Sequence, residues 1–149
     1  MPGAGLTTAH MISRGISPSA RLVGGMAEIA SPPSSEFPVL IADGVAVVTT
    51  PSEIDIANAG HFRAALLAAA GSGRRVIVVD MTGTEFCDST GLNVLVRARR
   101  QAEESGGEIR LAVRATALQR ILTVTGVDSM FGRYDSLEQA LRPGTRGGG

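Results

Sequence analysis

The sequence has no lysine, and all 14 of its basic residues are arginine. Schiff-base chemistry, a lysine-anchored pyridoxal phosphate and the lysine of a phosphate-binding P-loop are therefore excluded. A single cysteine, Cys87, permits neither an internal disulfide nor a CxxC zinc or redox pair, and it fits a reducing, cytoplasmic compartment. Histidine is limited to His10 and His61, too little for a zinc centre or a Ser-His nucleophile. With no tryptophan and 3% aromatics, a base-stacking platform is not expected. Neither sign of charge dominates, because 14 acidic residues offset the 14 arginines, so no general field draws in nucleic acid or an anionic membrane. Also missing are an eighteen-residue apolar run and an apolar stretch behind a basic start, so neither a transmembrane helix nor a signal peptide is expected.

The 149 residues suffice for one domain with a single core. Residues 1–36 are rich in Gly, Pro and Ser, including Pro32-Pro33-Ser34-Ser35, and read as a disordered leader. Residues 142–149, ending in three glycines, read as a disordered tail. Between them, residues 37–141 alternate between strand and helix patterns. Two short apolar runs, 37–41 and 45–50, flank Ala42-Asp43-Gly44, where Asp-Gly supplies the positive φ angles of a tight hairpin. A helix is expected over 56–70, carrying Ile56, Phe62, Leu66 and Leu67 and ending at Gly71 and Gly73. The uninterrupted apolar run 76–79 reads as a central strand buried on both faces. A second helix begins near Ser89, places Leu92, Leu95, Val96 and Ala102 on one stripe and stops at Gly106-Gly107. A strand over 109–113, a helix over 116–125, a strand around 131–134 and a short helix over 136–141 complete the pattern. Strands separated by helices imply right-handed βαβ crossovers, so the loops after the parallel strands open on one edge of the sheet, where α/β proteins place their sites.

Two loops at that edge carry chemistry. Pro51-Ser52-Glu53-Ile54-Asp55 delivers two carboxylates, and the loop from Met81 to Gly91 ends in Asp88-Ser89-Thr90 at a helix start. Free N–H groups and the positive end of the helix dipole favour a dianion on Ser89, so phosphorylation there adds charge without opposing the helix. Asp55 and Asp88 also read as simple N-caps of the helices they precede.

The stretch Phe86-Cys87-Asp88-Ser89-Thr90-Gly91-Leu92, with the hydrophobic strand and Asp80 before it, closely resembles the signature of the STAS domain of bacterial anti-sigma factor antagonists. Glu53-Ile54-Asp55 resembles that family's other acidic motif, Gly106 to Leu111 its helix-to-strand turn, and Leu118 to Gly126 its third helix. The resemblance spans residues 37–141. It implies an α/β fold with a small, mostly parallel sheet, one antiparallel hairpin strand, and helices packed mainly on one side. It also implies a cytoplasmic binding protein rather than an enzyme, without cofactor, nucleic acid or membrane as partner. Such a protein binds an anti-sigma factor that is a serine kinase and carries the ATP, is released when phosphorylated, and is reset by a phosphatase. Carried over by residue, Ser89 is the phosphoacceptor, with Thr90 as a secondary one. Asp55, Asp88, Thr90 and Gly91 form the acceptor loop and kinase-recognition group. Glu53, Asn93 and Val94 fall to the partner-binding surface, Val94 because it lies off the buried stripe of its helix. Ser52, behind Pro51, stands where family members often have glycine, which stiffens the first loop.

Two other readings use the same residues. One is a STAS accessory subunit of a transporter or signalling complex that is never phosphorylated. The other is a small metal-dependent hydrolase in which Asp55, Asp80 and Asp88 collect a magnesium ion. A cysteine phosphatase is disfavoured because Asn93 stands where an arginine would be needed six positions after Cys87, which reads instead as a buried thiol. The arginines at 97, 99, 100, 110 and 114 are interleaved with glutamates and read as a solvated face rather than an RNA surface.

Overall fold

The computed structural model describes residues 28–29 and 36–143. Its strands are β1 (Glu28–Ile29), β2 (Val39–Ala42), β3 (Val45–Thr49), β4 (Glu53–Ile54), β5 (Val76–Met81), β6 (Phe86–Cys87), β7 (Glu108–Val113) and β8 (Gly132–Tyr134). The helices are α1 (Ala59–Gly71), α2 (Ser89–Glu104), α3 (Thr116–Val124) and α4 (Leu137–Ala140), with a 3-10 turn at Val127–Met130. Six strands form one sheet in the order β1-β2-β3-β5-β7-β8. Only β2 runs against its neighbours; the ladders β3–β5, β5–β7 and β7–β8 are parallel. The fold is therefore α/β, with the single reversed strand expected from the Asp43-Gly44 hairpin. Both turn residues take positive φ, 55° and 78°, as a two-residue hairpin of matching twist demands.

Alternation along the strands sorts the core into two layers. Val48, Ile77, Val79, Ile109 and Leu111 point to the face covered by α1, α2 and α3. Val45, Val47, Val78 and Ala112 point to the opposite face, where Tyr134 and Ala140 of α4 pack. Three helices on one side and one short helix on the other explain why β5 is apolar at every position from 76 to 79: it is covered twice. Phe37 stacks on Phe62 with ring centroids 5.2 Å apart, which fastens the start of the domain to α1.

The sequence pattern and the fold part company at four places. Glu28 and Ile29, inside the segment read as a leader, form β1 against Leu40 and Ile41 of β2; residues 1–27, 30–35 and 144–149 lie outside the described residues. α1 starts at Ala59 rather than at 56, because Asp55 and Asn58 interlock the preceding turn. The Asp55 N–H donates to Asn58 Oδ1, the Ala57 N–H donates to Asp55 Oδ1, and Asn58 Nδ2 donates to the Glu53 carbonyl. Ile56 is consequently left 78% exposed in that turn, and Leu67 is 43% exposed rather than on the buried stripe. Arg110 is not part of a solvated face. It lies on β7, 5% exposed, donating from Nε to Glu108 and from one terminal nitrogen to the carbonyls of Ala140 and Arg142. Its guanidinium answers carbonyls at the end of α4 that the short helix cannot satisfy and lies 5.9 Å from the centre of the Tyr134 ring.

Candidate functional site

The two loops singled out in the sequence do more than share an edge. Pro51 to Ile54 and Thr84 to Cys87 run beside each other as a two-stranded parallel ribbon, β4 with β6, pairing Glu53 with Phe86 and Ile54 with Cys87. Ser52 O accepts from the N–H groups of Glu85 and Phe86, and Ile54 O accepts from Asp88 N–H at 3.0 Å. The base of the ribbon is fixed by Thr84, fully buried, whose hydroxyl donates to the Pro51 carbonyl at 2.6 Å and contacts the Thr50 hydroxyl. Thr50 in turn donates its backbone N–H to the Asp80 carbonyl, tying the ribbon to β5. Threonines 50 and 84 are the positioning residues that sequence reasoning missed; a polar loop threonine carries no local signal of burial.

Because Ile54 and Cys87 are paired, Asp55 and Asp88 emerge side by side from the ends of the ribbon. Asp88 is the N-cap of α2: Oδ1 accepts the Thr90 N–H at 2.9 Å, the Gly91 N–H at 3.3 Å and the Thr90 hydroxyl. The Thr90 hydroxyl bond is the largest cause holding the Asp88 carboxyl below its usual pKa; partial desolvation opposes it, and N–H groups of Gly91, Thr90 and Ile56 add to it. Since the folded-state pKa is depressed, the cap contributes stability that is fully present above the ordinary carboxylate value and is lost as the pH falls from that value through the lower folded-state one. Asp55 caps its own turn rather than a helix.

Ser89 follows at the first position of α2, exposed, and its hydroxyl has no hydrogen-bond partner among the described residues. Thr90, by contrast, is half-buried and its hydroxyl is committed to Asp88, so of the two adjacent hydroxyls only that of Ser89 faces outward unengaged. Glu53 is exposed on β4, and Asn93 is exposed one turn beyond Ser89. Val94 is not off the core: it is half-buried and packs against the main cluster, lining a groove between α1 and α2. Ile56 and Phe86, 78% and 45% exposed, complete the edge as two large apolar side chains in water. The turn at Asp55 and the alternation of the ribbon turn them outward.

Gly91 and Cys87 hold the first turn of α2 against the ribbon. A Cβ on Gly91 would meet Cys87 Sγ at 2.6 Å and Ile54 Cγ2 at 2.7 Å. Cys87 is 1% exposed; burial, with a smaller contribution from the Asp88 charge, pushes its thiol up to about 12. The native protein should accordingly react with a disulfide reagent at pH 8 no faster than it unfolds, and at the rate of a free thiol once denatured, because the thiolate is the nucleophile. Fast labelling of the native chain would contradict this burial. Stability should also fall as the pH rises from 9 towards 12, where the unfolded chain gives up this proton and the folded one retains it. As for cations, Asp80 Oδ1 accepts both the N–H and the hydroxyl of Thr82, and among the described residues no three His, Cys, Asp or Glu side chains come together. No described helix is long and apolar enough to cross a membrane.

Comparison with known proteins finds anti-sigma factor antagonists and also the murine anion transporter Slc26a9, at 26% identity and a TM-score of 0.52, covering 66% of this chain and 17% of that one. Residues 36–140 match the family model described as the STAS domain. Anti-sigma-F factor antagonist RsfB of Mycobacterium tuberculosis is 29% identical over 122 residues, covering 80% of this chain and 97% of that protein. A crystal structure of an anti-sigma factor antagonist from Mycobacterium paratuberculosis superposes with a TM-score of 0.65 at 30% identity, covering 70% of this chain and 89% of the other. The Bacillus cell fate determinant SpoIIAA in its phosphorylated form shares the fold at a TM-score of 0.55 and 19% identity, covering 70% and 96%.

Proposed function

This chain belongs to the STAS domain family, and on that premise we propose that it is an anti-sigma factor antagonist switched off by phosphorylation of Ser89. The observation that carries the reading is the placement of Ser89. It is exposed and unengaged at the first position of α2, beside Asp88 and Asp55, on an edge that shows Ile56 and Phe86 to solvent. Exposed apolar side chains at the centre of a polar rim are the usual anchors of a protein interface. The unmodified edge docks an anti-sigma factor through Ile56 and Phe86, with Glu53 and Asn93 at the margin. That factor is also the kinase: it brings the ATP, the Ser89 oxygen bonds the γ-phosphorus, ADP leaves, and the hydroxyl proton is lost to a base in the complex. Asp55 and Asp88 order the acceptor loop for recognition. The chain is then a cytoplasmic substrate and regulator of sigma-factor-dependent transcription, needs no cofactor of its own, and is reset by a phosphatase.

RsfB and the M. paratuberculosis protein, named as anti-sigma factor antagonists, support this reading. The test is to capture partners on the unmodified full chain from native cytosol, add ATP, and map the chain by mass spectrometry. A captured anti-sigma kinase that places phosphate on Ser89, and places none on Ser89→Ala, is the expected result. Phosphate confined to other residues, or capture of a transporter with Ser89 unmodified, would overturn the switch and favour the accessory-subunit reading.

A further inference from the structure

The edge around Ser89 is acidic throughout. Residues 51–58 and 82–93, which build it, contain Glu53, Asp55, Glu85 and Asp88 and no basic residue. The element beside it has the opposite sign. β7 runs parallel to β5 with Val113 opposite Met81, so both strands release the chain at the same edge. α3 begins three residues after Val113 and packs against β6, the strand that carries the exposed Phe86. Residues 112–127 contain Arg114 and Arg120 and no Asp or Glu. Asp128, at the far end of α3, accepts from the Thr123 hydroxyl. Arg99 and Arg110 are paired with Glu103 and Glu108. Arg114 and Arg120 are exposed instead, and among the described residues neither side chain has an ion pair, hydrogen bond or ring contact.

The apolar pattern of α3 leaves the same face open. Leu118 and Leu122 lie in the core, while Ala117, Arg120 and Val124, three and four positions apart, share the outward side. Val124 is 79% exposed. Charge and apolar area together select what covers this face. A nucleic acid or an anionic membrane drawn by the arginines would press against the carboxylates of the neighbouring ribbon, like sign against like. A small anion would answer the guanidinium groups and leave Val124 in water. A protein surface can present carboxylates to α3, withhold them from the ribbon, and bury Ala117 and Val124 in the same contact.

We propose that the outward face of α3 is the second half of the surface that receives the anti-sigma factor. Carboxylates of the factor pair with Arg114 and Arg120, where guanidinium forks suit them, and its apolar side chains cover Ala117 and Val124. The inference rests on the docking proposed for the Ser89 edge and adds the charge that the factor carries beside it. A surface negative on the ribbon and positive on α3 admits one orientation of the factor and opposes its reverse.

The test titrates purified anti-sigma factor against the full chain at low and high salt. The unmodified chain should bind more weakly as salt rises, and binding should shift the amide signals of Ala117 and Val124 in an NMR titration. The double variant Arg114→Gln, Arg120→Gln should bind at least about tenfold more weakly at low salt. At high salt it should converge with the unmodified chain, an outcome that general loss of folding cannot produce. Because neither side chain is engaged, the melting curve of the variant should match that of the unmodified chain. If the variant binds like the unmodified chain while Ser89→Glu does not, the inference falls and the Ser89 switch stands. A deficit that persists at high salt also overturns it. So does a short RNA or a phosphatidylglycerol vesicle that shifts the Ala117 and Val124 signals when the factor leaves them in place. An unmodified chain that binds no anti-sigma factor overturns the docking reading and this inference together.

Discussion

Replacing Ser89 by glutamate should weaken binding of the anti-sigma factor about a hundredfold, roughly 2.7 kcal/mol, while Ser89→Ala binds within about threefold of the unmodified chain. The difference follows from where the new charge sits. Asp88 beside it is already held ionised by the Thr90 hydroxyl and the N–H groups of the first turn, and Asp55 emerges next to it. A further carboxylate therefore enlarges a negative cluster at the centre of the proposed docking edge, where a partner fitted to the neutral hydroxyl must desolvate it without a counter-charge. The fold is not the cause of the loss: an acidic side chain is favoured at the first turn of a helix, so the melting temperature of Ser89→Glu should equal or slightly exceed that of the unmodified chain. Titration calorimetry with the purified anti-sigma factor, alongside thermal melts, separates the two. Wild-type affinity in Ser89→Glu would remove the electrostatic switch.

Much of this edge is legible in the residues and part of it is not. The helix start at Ser89 can be read because Asp88-Ser89-Thr90 precedes an apolar stripe, and local chemistry decides a cap whatever the rest of the chain does. The central strand is legible because four successive apolar residues fit only a position covered on both faces. The pairing of β4 with β6 is not legible: two residues on each side give no periodicity, and the ladder exists only because β3 and β5 are neighbours and launch their loops together. Arg110 fails as a surface residue for a similar reason. Its partners are the carbonyls of Ala140 and Arg142, thirty and more positions away along the chain, and no sequence window contains them. Ile56 and Phe86 are the instructive pair. Tertiary geometry turns both outward, Ile56 away from the helix it was expected to join, and an apolar residue on the surface beside a polar acceptor is where recognition is expected.

Gly91 gives the largest effect on stability, and Ser89, the proposed phosphoacceptor, rides on the helix turn that Gly91 allows to approach. An added Cβ lands 2.6 Å from Cys87 Sγ and 2.7 Å from Ile54 Cγ2, both side chains lying in the core. Overpacking of this kind costs about 1–3 kcal/mol, against which alanine recovers up to about 1 kcal/mol of helix propensity. Gly91→Ala should therefore lose about 1–2 kcal/mol net, and Gly91→Val, with two more methyl groups and a stiff χ1, at least about 3 kcal/mol. Gly60 is the internal comparison: it lies on the exposed face of α1 with nothing within 4 Å of its added Cβ, so Gly60→Ala should stabilise by about 0.4–1 kcal/mol. Removing the sulfur tests the cause. Cys87→Ala in the Gly91→Ala background vacates the space the new methyl needs, so the double variant should cost at least about 0.5 kcal/mol less than the sum of the single ones. Additive losses in urea unfolding would show that the Cys87 contact is not what glycine serves here. Because the same displacement tilts the first turn of α2, Gly91→Ala should also slow phosphate transfer to Ser89 under conditions where the variant remains fully folded.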